Sequence, residues 1–207
     1  MYEKEYLVTE CNKDVVENCI SALESKGKAV IICGDTGSGK THLIHCLKNK
    51  TNKDTRYVTA EEFAKKMVDF IVKNQHDKLA GMLDSKDVLF LDDTAYLHGR
   101  SNTQSKIAKI LNKALAAGGN VFITTENSHG ISELISGLPA EAVEKLELTM
   151  DNELKKSIFK QVLRERKLDL PEDEIEKLLE GHTINQLMGI ANKLHFLKNT
   201  ADNESSI

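Results

Sequence analysis

Eight residues, Gly34-Asp35-Thr36-Gly37-Ser38-Gly39-Lys40-Thr41, constrain this 207-residue chain more than any other stretch. They satisfy the pattern Gly-x-x-x-x-Gly-Lys-[Ser/Thr] without a mismatch, and their surroundings are those the pattern requires. Ala29-Val30-Ile31-Ile32-Cys33 runs in as a buried strand of small and β-branched residues. After the loop, Leu43, Ile44 and Leu47 recur at helical spacing and predict a helix over about residues 40–48. Strand, glycine loop and helix make a cradle for phosphate groups. The glycines let backbone N–H groups converge, and the helix N-terminus adds positive partial charge. The expected ligand is a nucleotide, ATP or ADP, lined by Gly34, Asp35, Thr36, Gly37, Ser38, Gly39, Lys40, Thr41 and His42. Lys40 would reach the β- and γ-phosphates, and the Thr41 hydroxyl would ligate Mg²⁺.

A second stretch supplies what such a cradle lacks. Asp87-Val88-Leu89-Phe90-Leu91-Asp92-Asp93 reads as a buried hydrophobic strand that ends in two acids. Hydrolysis at a phosphate needs a divalent cation and an oriented water. Asp92 is placed in the Mg²⁺ shell, and Asp93, with Lys40, among the catalytic groups. Asp93 would orient or deprotonate the attacking water.

The remaining elements follow from spacing and caps. Asn12 stands at the start of a helix whose apolar residues Val15, Val16, Cys19, Ile20 and Leu23 share a face, ending near Gly27. A short strand, Arg56 to Thr59, leads into a helix opened by a Thr59/Glu62 capping box and carrying Phe63, Met67, Val68 and Ile71. Leu79, Met82 and Leu83 predict a further short helix. Ile107, Ile110, Leu111, Ala114 and Leu115 define a helix from Ser101 that Gly118-Gly119 stops. Asn120 to Thr125 reads as another buried strand with a polar end, and Lys145 to Thr149 as a last one. Alternating strands and helices predict an α/β fold, a three-layer parallel sheet over residues 1–150 with ligands at the C-terminal strand ends. Beyond Met150 only helical patterns remain, at 152–167, at 171–180 with Pro171 first, and at 183–197 with a Thr183/Gln186 capping box. They make a small all-α lid over 151–198, and the polar stretch 199–207 reads as a disordered tail.

Composition narrows the class. Net charge is −4, so no global basic field draws the chain onto nucleic acid. No apolar run approaches the about 20 residues of a membrane span, and no secretory signal is legible. Cys11, Cys19, Cys33 and Cys46 contain no Cys-x-x-Cys pair and read as reduced core thiols, which points to the cytoplasm. His42 and His45 lie one helical turn apart, but no third ligand joins them as a metal site. Arg164-Glu165-Arg166-Lys167 reads as a solvated face.

A phosphate-loop sheet followed by three helices resembles an AAA+ ATPase, and the residues narrow the resemblance to the DnaA/Hda type. Gly39-Lys40-Thr41-His42-Leu43-Ile44-His45 looks like the loop-to-helix junction of the DnaA replication initiator. Arg56-Tyr57-Val58-Thr59-Ala60-Glu61-Glu62-Phe63 resembles its second strand and helix, and Asp87 to Leu97 its Walker B segment. Tyr6-Leu7-Val8-Thr9 followed by Asn12 resembles its adenine-side segment. The likeness covers about residues 5–197, without the interaction domain and helix-turn-helix domain that DnaA proteins carry. That reduced outline is similar to Hda, which works with the sliding clamp, although residues 1–6 hold no clamp-binding peptide. The resemblance implies a nucleotide-binding regulator of replication initiation whose partner is another AAA+ replication protein, DnaA or a second copy. Sequence-specific DNA binding and membrane contact are not implied. Basic residues after the Walker B strand face single-stranded DNA in such proteins, and Arg100 stands there. The family's arginine finger has no arginine counterpart around Leu138 to Leu146, its lid sensor arginine aligns with Asn185, and its fourth-strand Ser-Asp-Arg aligns near Glu126 and Asn127. Weak ATPase activity is therefore expected. A DnaC-like helicase loader and a non-hydrolysing, nucleotide-bound interaction module share these features and stand as alternatives.

Overall fold

The structure, a computed structural model, describes residues 6–75 and 87–204. The chain divides after Thr149 into two compact units. In the first, five strands form a parallel sheet: β1 (Ala29–Cys33), β2 (Thr55–Thr59), β3 (Val88–Asp92), β4 (Asn120–Thr125) and β5 (Val143–Glu147). Their order is β2-β3-β4-β1-β5. Successive side chains on a strand point to opposite faces, and the sheet is covered on both. Ala29, Ile31, Leu89, Leu91, Val121 and Ile123 turn to one face. There they meet Phe63 and Met67 of α3 (Ala60–Val72), Ile107 and Leu111 of α4 (Ser101–Ala116), and Leu134 of α5 (Ser132–Ser136). Val30, Ile32, Val88, Phe90 and Phe122 turn to the other face, against α1 (Lys13–Glu24) and α2 (Lys40–Lys50). The expected three-layer α/β fold is the observed one.

β4 lies between the loop-bearing β1 and the acid-ending β3, so three strand ends meet at one edge. Its near end is fixed by Asn120, 1% exposed, whose amide donates to Ala22 O (3.0 Å) and Ser25 O (2.8 Å) and accepts from Lys28 N (3.0 Å). Asn120 thereby ties the end of α1 to the start of β1. The second unit has its own core. Phe159, Val162 and Leu163 of α6 (Asn152–Glu165) pack with Ile175 and Leu179 of α7 (Glu172–Gly181) and Leu187 and Ala191 of α8 (Ile184–Glu204). The Thr183/Gln186 capping box is present, with Thr183 N donating to Gln186 Oε1 at 2.7 Å and Gln186 N to Thr183 Oγ1 at 3.4 Å.

Several expectations are corrected. Asn12 sits at the N-cap of α1, but its side chain makes no cap bond. It turns back instead, accepting from Thr9 N at 2.8 Å and donating to Leu7 O at 3.0 Å, because the entering segment doubles over the helix start. Ile20 and Val68 stand at the rims of their helices, 38% and 53% exposed, one step round from the buried Cys19 and Met67. β5 begins two residues earlier than expected; as an edge strand it has a weak burial pattern, which left its register open. Pro171 is the N-cap of α7 and not its first residue. Residues 199–204 are helical and continue α8, where polar composition alone had read as a tail. The expected helix around Leu79 to Leu83 lies outside the described residues.

All four cysteines are thiols. Burial first, with the Glu144 carboxylate second, pushes the Cys19 thiol up to about 12, as expected of a core residue. No helix among the described residues is long and apolar enough to cross a membrane.

Candidate functional site

The loop between β1 and α2 is built around two glycines. A Cβ on Gly34 would lie 2.3 Å from Leu148 O and 2.8 Å from Ser38 Oγ, so the strand end leaves no room for a side chain. Gly39 is the N-cap of α2 with φ +96°, a left-handed backbone that other residues rarely adopt. No side chain caps α2. The first-turn N–H groups of a helix lack an intrahelical acceptor, and in α2 these belong to Lys40, Thr41 and His42. Ser38 Oγ is buried and has no hydrogen-bond partner. An uncapped, glycine-led helix start and an unsatisfied buried hydroxyl both fit an anion with several oxygens. Lys40 Nζ lies on the loop, donating to Gly34 O at 2.6 Å and Asp35 O at 2.8 Å.

The ends of β3 and β4 face this loop. Asp92 closes β3 and is 2% exposed. Its Oδ1 accepts from the Thr124 hydroxyl of β4, and its Oδ2 from the Tyr57 hydroxyl of β2 at 2.7 Å. Asp93 follows with φ +52°, exposed, its N–H donating to Thr124 Oγ1 at 3.0 Å. Its left-handed backbone turns the chain out of the sheet into the 3₁₀ turn Thr94–Leu97. The Thr94 hydroxyl donates to Thr124 O at 2.8 Å. Just beyond β4, Glu126 accepts from the Thr36 hydroxyl of the loop. Burial pulls the Lys40 ammonium below its ordinary range, while the carboxylates of Glu126, Asp92, Asp35 and Asp93 push the other way. Four carboxylates thus act on the Lys40 ammonium.

Of the residues expected at the site, the loop, Lys40, Asp92 and Asp93 share one electrostatic neighbourhood. His42 packs its ring against Tyr6, centroids 5.4 Å apart, and Tyr6 also lies beside Gly39. His45 lies against Tyr57, centroids 4.5 Å apart. Burial first, against the pull of Asp92, lowers the His45 imidazole below its ordinary range. Arg100 lies apart from this neighbourhood in the pairings it makes, its guanidinium 4.2 Å over the Tyr96 ring. Arg166, in the basic run, donates to Asn192 Oδ1 at 2.7 Å and joins α6 to α8. Among the described residues no three His, Cys, Asp or Glu side chains form a metal-binding group by themselves.

Sequence reasoning missed the partners of Asp92. Tyr57 stands two residues before the end of its strand and reads as sheet packing, and a phenol-to-carboxylate bond across 35 residues leaves no local signal. It also missed Gln104, 2% exposed, whose amide donates to Leu97 O (2.7 Å) and Gly130 O (2.9 Å) and accepts from Leu134 N (3.1 Å). That clamp fixes the segments leaving β3 and β4 to α4 and α5. Its signal was visible: 104, 107, 108, 111 and 115 all fall on one helical face.

The family model of the bacterial DnaA ATPase domain matches residues 9–138. The chain is 29% identical over 187 residues to the chromosomal replication initiator protein DnaA of Aquifex aeolicus, covering 85% of this chain and 46% of that protein. It therefore spans under half the length of that relative. A solved structure of AMPPCP-bound DnaA from Aquifex aeolicus superposes with a TM-score of 0.77 at 28% identity, over 93% of this chain and 64% of that one. A replication initiator DnaA bound to AMPPCP and single-stranded DNA gives a TM-score of 0.77 at 26% identity, over 96% and 67%.

Proposed function

The chain belongs to the bacterial DnaA ATPase-domain family, and from that premise we propose that it binds ATP or ADP with Mg²⁺ and acts in the control of chromosomal replication initiation. The observation that carries the reading is the meeting of three strand ends: the uncapped loop after β1, Asp92 at the end of β3, and Thr124 to Glu126 at the end of β4. Gly34 to Gly39 and the first-turn N–H groups of Lys40, Thr41 and His42 would hold the phosphates. Thr41 and Asp92 would hold Mg²⁺ together with phosphate oxygens. The bound nucleotide supplies a phosphoryl group whose transfer to water Mg²⁺ assists. Asp93, exposed and turned out of the sheet, would orient that water. Lys40 would exchange its two loop carbonyls for phosphate oxygens.

The regulatory reading follows the Hda-type outline. Its partner would be another AAA+ replication protein, DnaA or a second copy of this chain. The relative solved with AMPPCP and single-stranded DNA makes a single-stranded contact a further proposal, with Arg100 its candidate residue.

Thermal unfolding of the purified chain tests the reading. A ligand at about 100 times its Kd adds about 2.7 kcal/mol. Wild type is expected to shift upward with Mg-ATP or Mg-ADP, and Lys40→Ala is not. No shift in wild type at millimolar nucleotide would leave an interaction module without a nucleotide site.

A further inference from the structure

Asp92 is held from both sides. Thr124 donates to one carboxylate oxygen and Tyr57 to the other, so each oxygen is fixed while keeping a lone pair for a cation or its water. Thr124 and Tyr57 come from β4 and β2, the two strands that flank β3. The Tyr57 ring is in turn in contact with His45 at 4.5 Å. His45 is four residues beyond Thr41 on α2, so the two stand on one helical face. A chain of contacts therefore runs from the helix that carries Thr41, through His45 and Tyr57, to the carboxylate of Asp92.

We infer that His45 and Tyr57 are positioning residues that set the Asp92 carboxylate against the phosphate-loop helix for Mg²⁺. The inference rests on the nucleotide reading above. Mg²⁺ accepts only near-octahedral oxygens at about 2.0–2.1 Å, so an acid and a hydroxyl on different elements must be held in register. Strand β3 fixes the backbone of Asp92, and the Tyr57 hydroxyl fixes the rotation of its carboxylate. The His45 ring holds Tyr57 to α2. Partners of this kind around a ligating carboxylate change metal affinity by about 10–100-fold when removed.

The test uses the whole chain with ADP and Mg²⁺ as probes. It measures the free Mg²⁺ that half-saturates the ADP-dependent thermal shift, and ADP affinity by calorimetry in EDTA. Tyr57→Phe keeps the buried ring and removes only the hydroxyl. It is expected to raise the Mg²⁺ midpoint about 10-fold and leave Mg²⁺-free ADP affinity unchanged. His45→Ala is expected to move the midpoint the same way, and His45→Phe, which restores a ring against Tyr57, to return it. A merely structural role would lower the unfolding temperature of all three variants and leave the Mg²⁺ midpoint at the wild-type value, and that result overturns the inference. Wild type that binds ADP with an unaltered midpoint in Tyr57→Phe sinks the positioning role alone. Wild type that binds no ADP sinks the nucleotide reading and the inference together.

Discussion

Gln104 shows how much of this fold depends on single polar groups placed inside apolar surroundings. Its amide satisfies three buried backbone groups on three different segments, Leu97 O, Gly130 O and Leu134 N. Replacing it by leucine keeps volume and helix propensity but strands all three. A stranded buried group costs about 1–3 kcal/mol, so Gln104→Leu is expected to lower the urea midpoint by the equivalent of about 3 kcal/mol without changing the slope. A midpoint equal to wild type would show that the three groups find other partners. Glutamine is ordinarily a surface residue, which hid this role even though its position on the buried face of α4 was readable. Asn12 and Asn120 went the same way. Each was legible as a polar residue at an element boundary, and neither its partners nor its direction could be had from spacing. The tight loop at Gly34 and Gly39 was legible because its cause is local: eight consecutive residues carry the pattern. The Tyr57 bond to Asp92 was not, because sheet order decides it, and sheet order is a property of crossings between elements.

At the scale of elements, hydrophobic period and caps gave most strands and helices, and failed where burial is one-sided. β5 has a single neighbour and no fully buried residue, so its expected bounds were displaced by two residues. Residues 199–204 extend α8 although their composition is polar, since a helix already fixed by Leu187 and Ala191 can add turns without a new nucleus. What no periodicity announced was β4 lying between β1 and β3, the arrangement that brings Thr124 to Asp92 and Glu126 to Thr36. Capping is where an element's own stability can be tested. Asp151 accepts from Leu154 N at 2.7 Å and places a carboxylate at the positive end of α6. Asp151→Ala is expected to cost about 1 kcal/mol, and Asp151→Ser to recover most of it, as read from chemical denaturation monitored by circular dichroism. Equal stability of the alanine variant would mean that α6 is held by its apolar face alone.

At the scale of the whole chain, the placement of positive charge decides how fast a bound triphosphate could be cleaved. The chain has four arginines, Arg56, Arg100, Arg164 and Arg166. Arg164 and Arg166 are engaged within the second unit, with Lys160 O and Asn192, and Arg100 lies over Tyr96. The segment from Glu126 to Met150, which runs from the end of β4 past β5, contains none. At the loop, Lys40 lies among the carboxylates of Glu126, Asp92, Asp35 and Asp93. Charge that develops on the transferring phosphoryl group is stabilised about 10³–10⁵-fold by a well-placed arginine. With none on these strand ends, the purified chain is expected to turn over Mg-ATP on the order of 10⁻⁴–10⁻² s⁻¹, measured as phosphate release at saturating nucleotide. A partner that lends an arginine should raise that rate, and Asp93→Asn should abolish the increase while leaving Mg-ADP stabilisation in place. Unaided turnover on the order of 1 s⁻¹ would mean that one of the four arginines reaches the phosphates, from this chain or from a second copy. Single Arg→Ala variants would then identify which one.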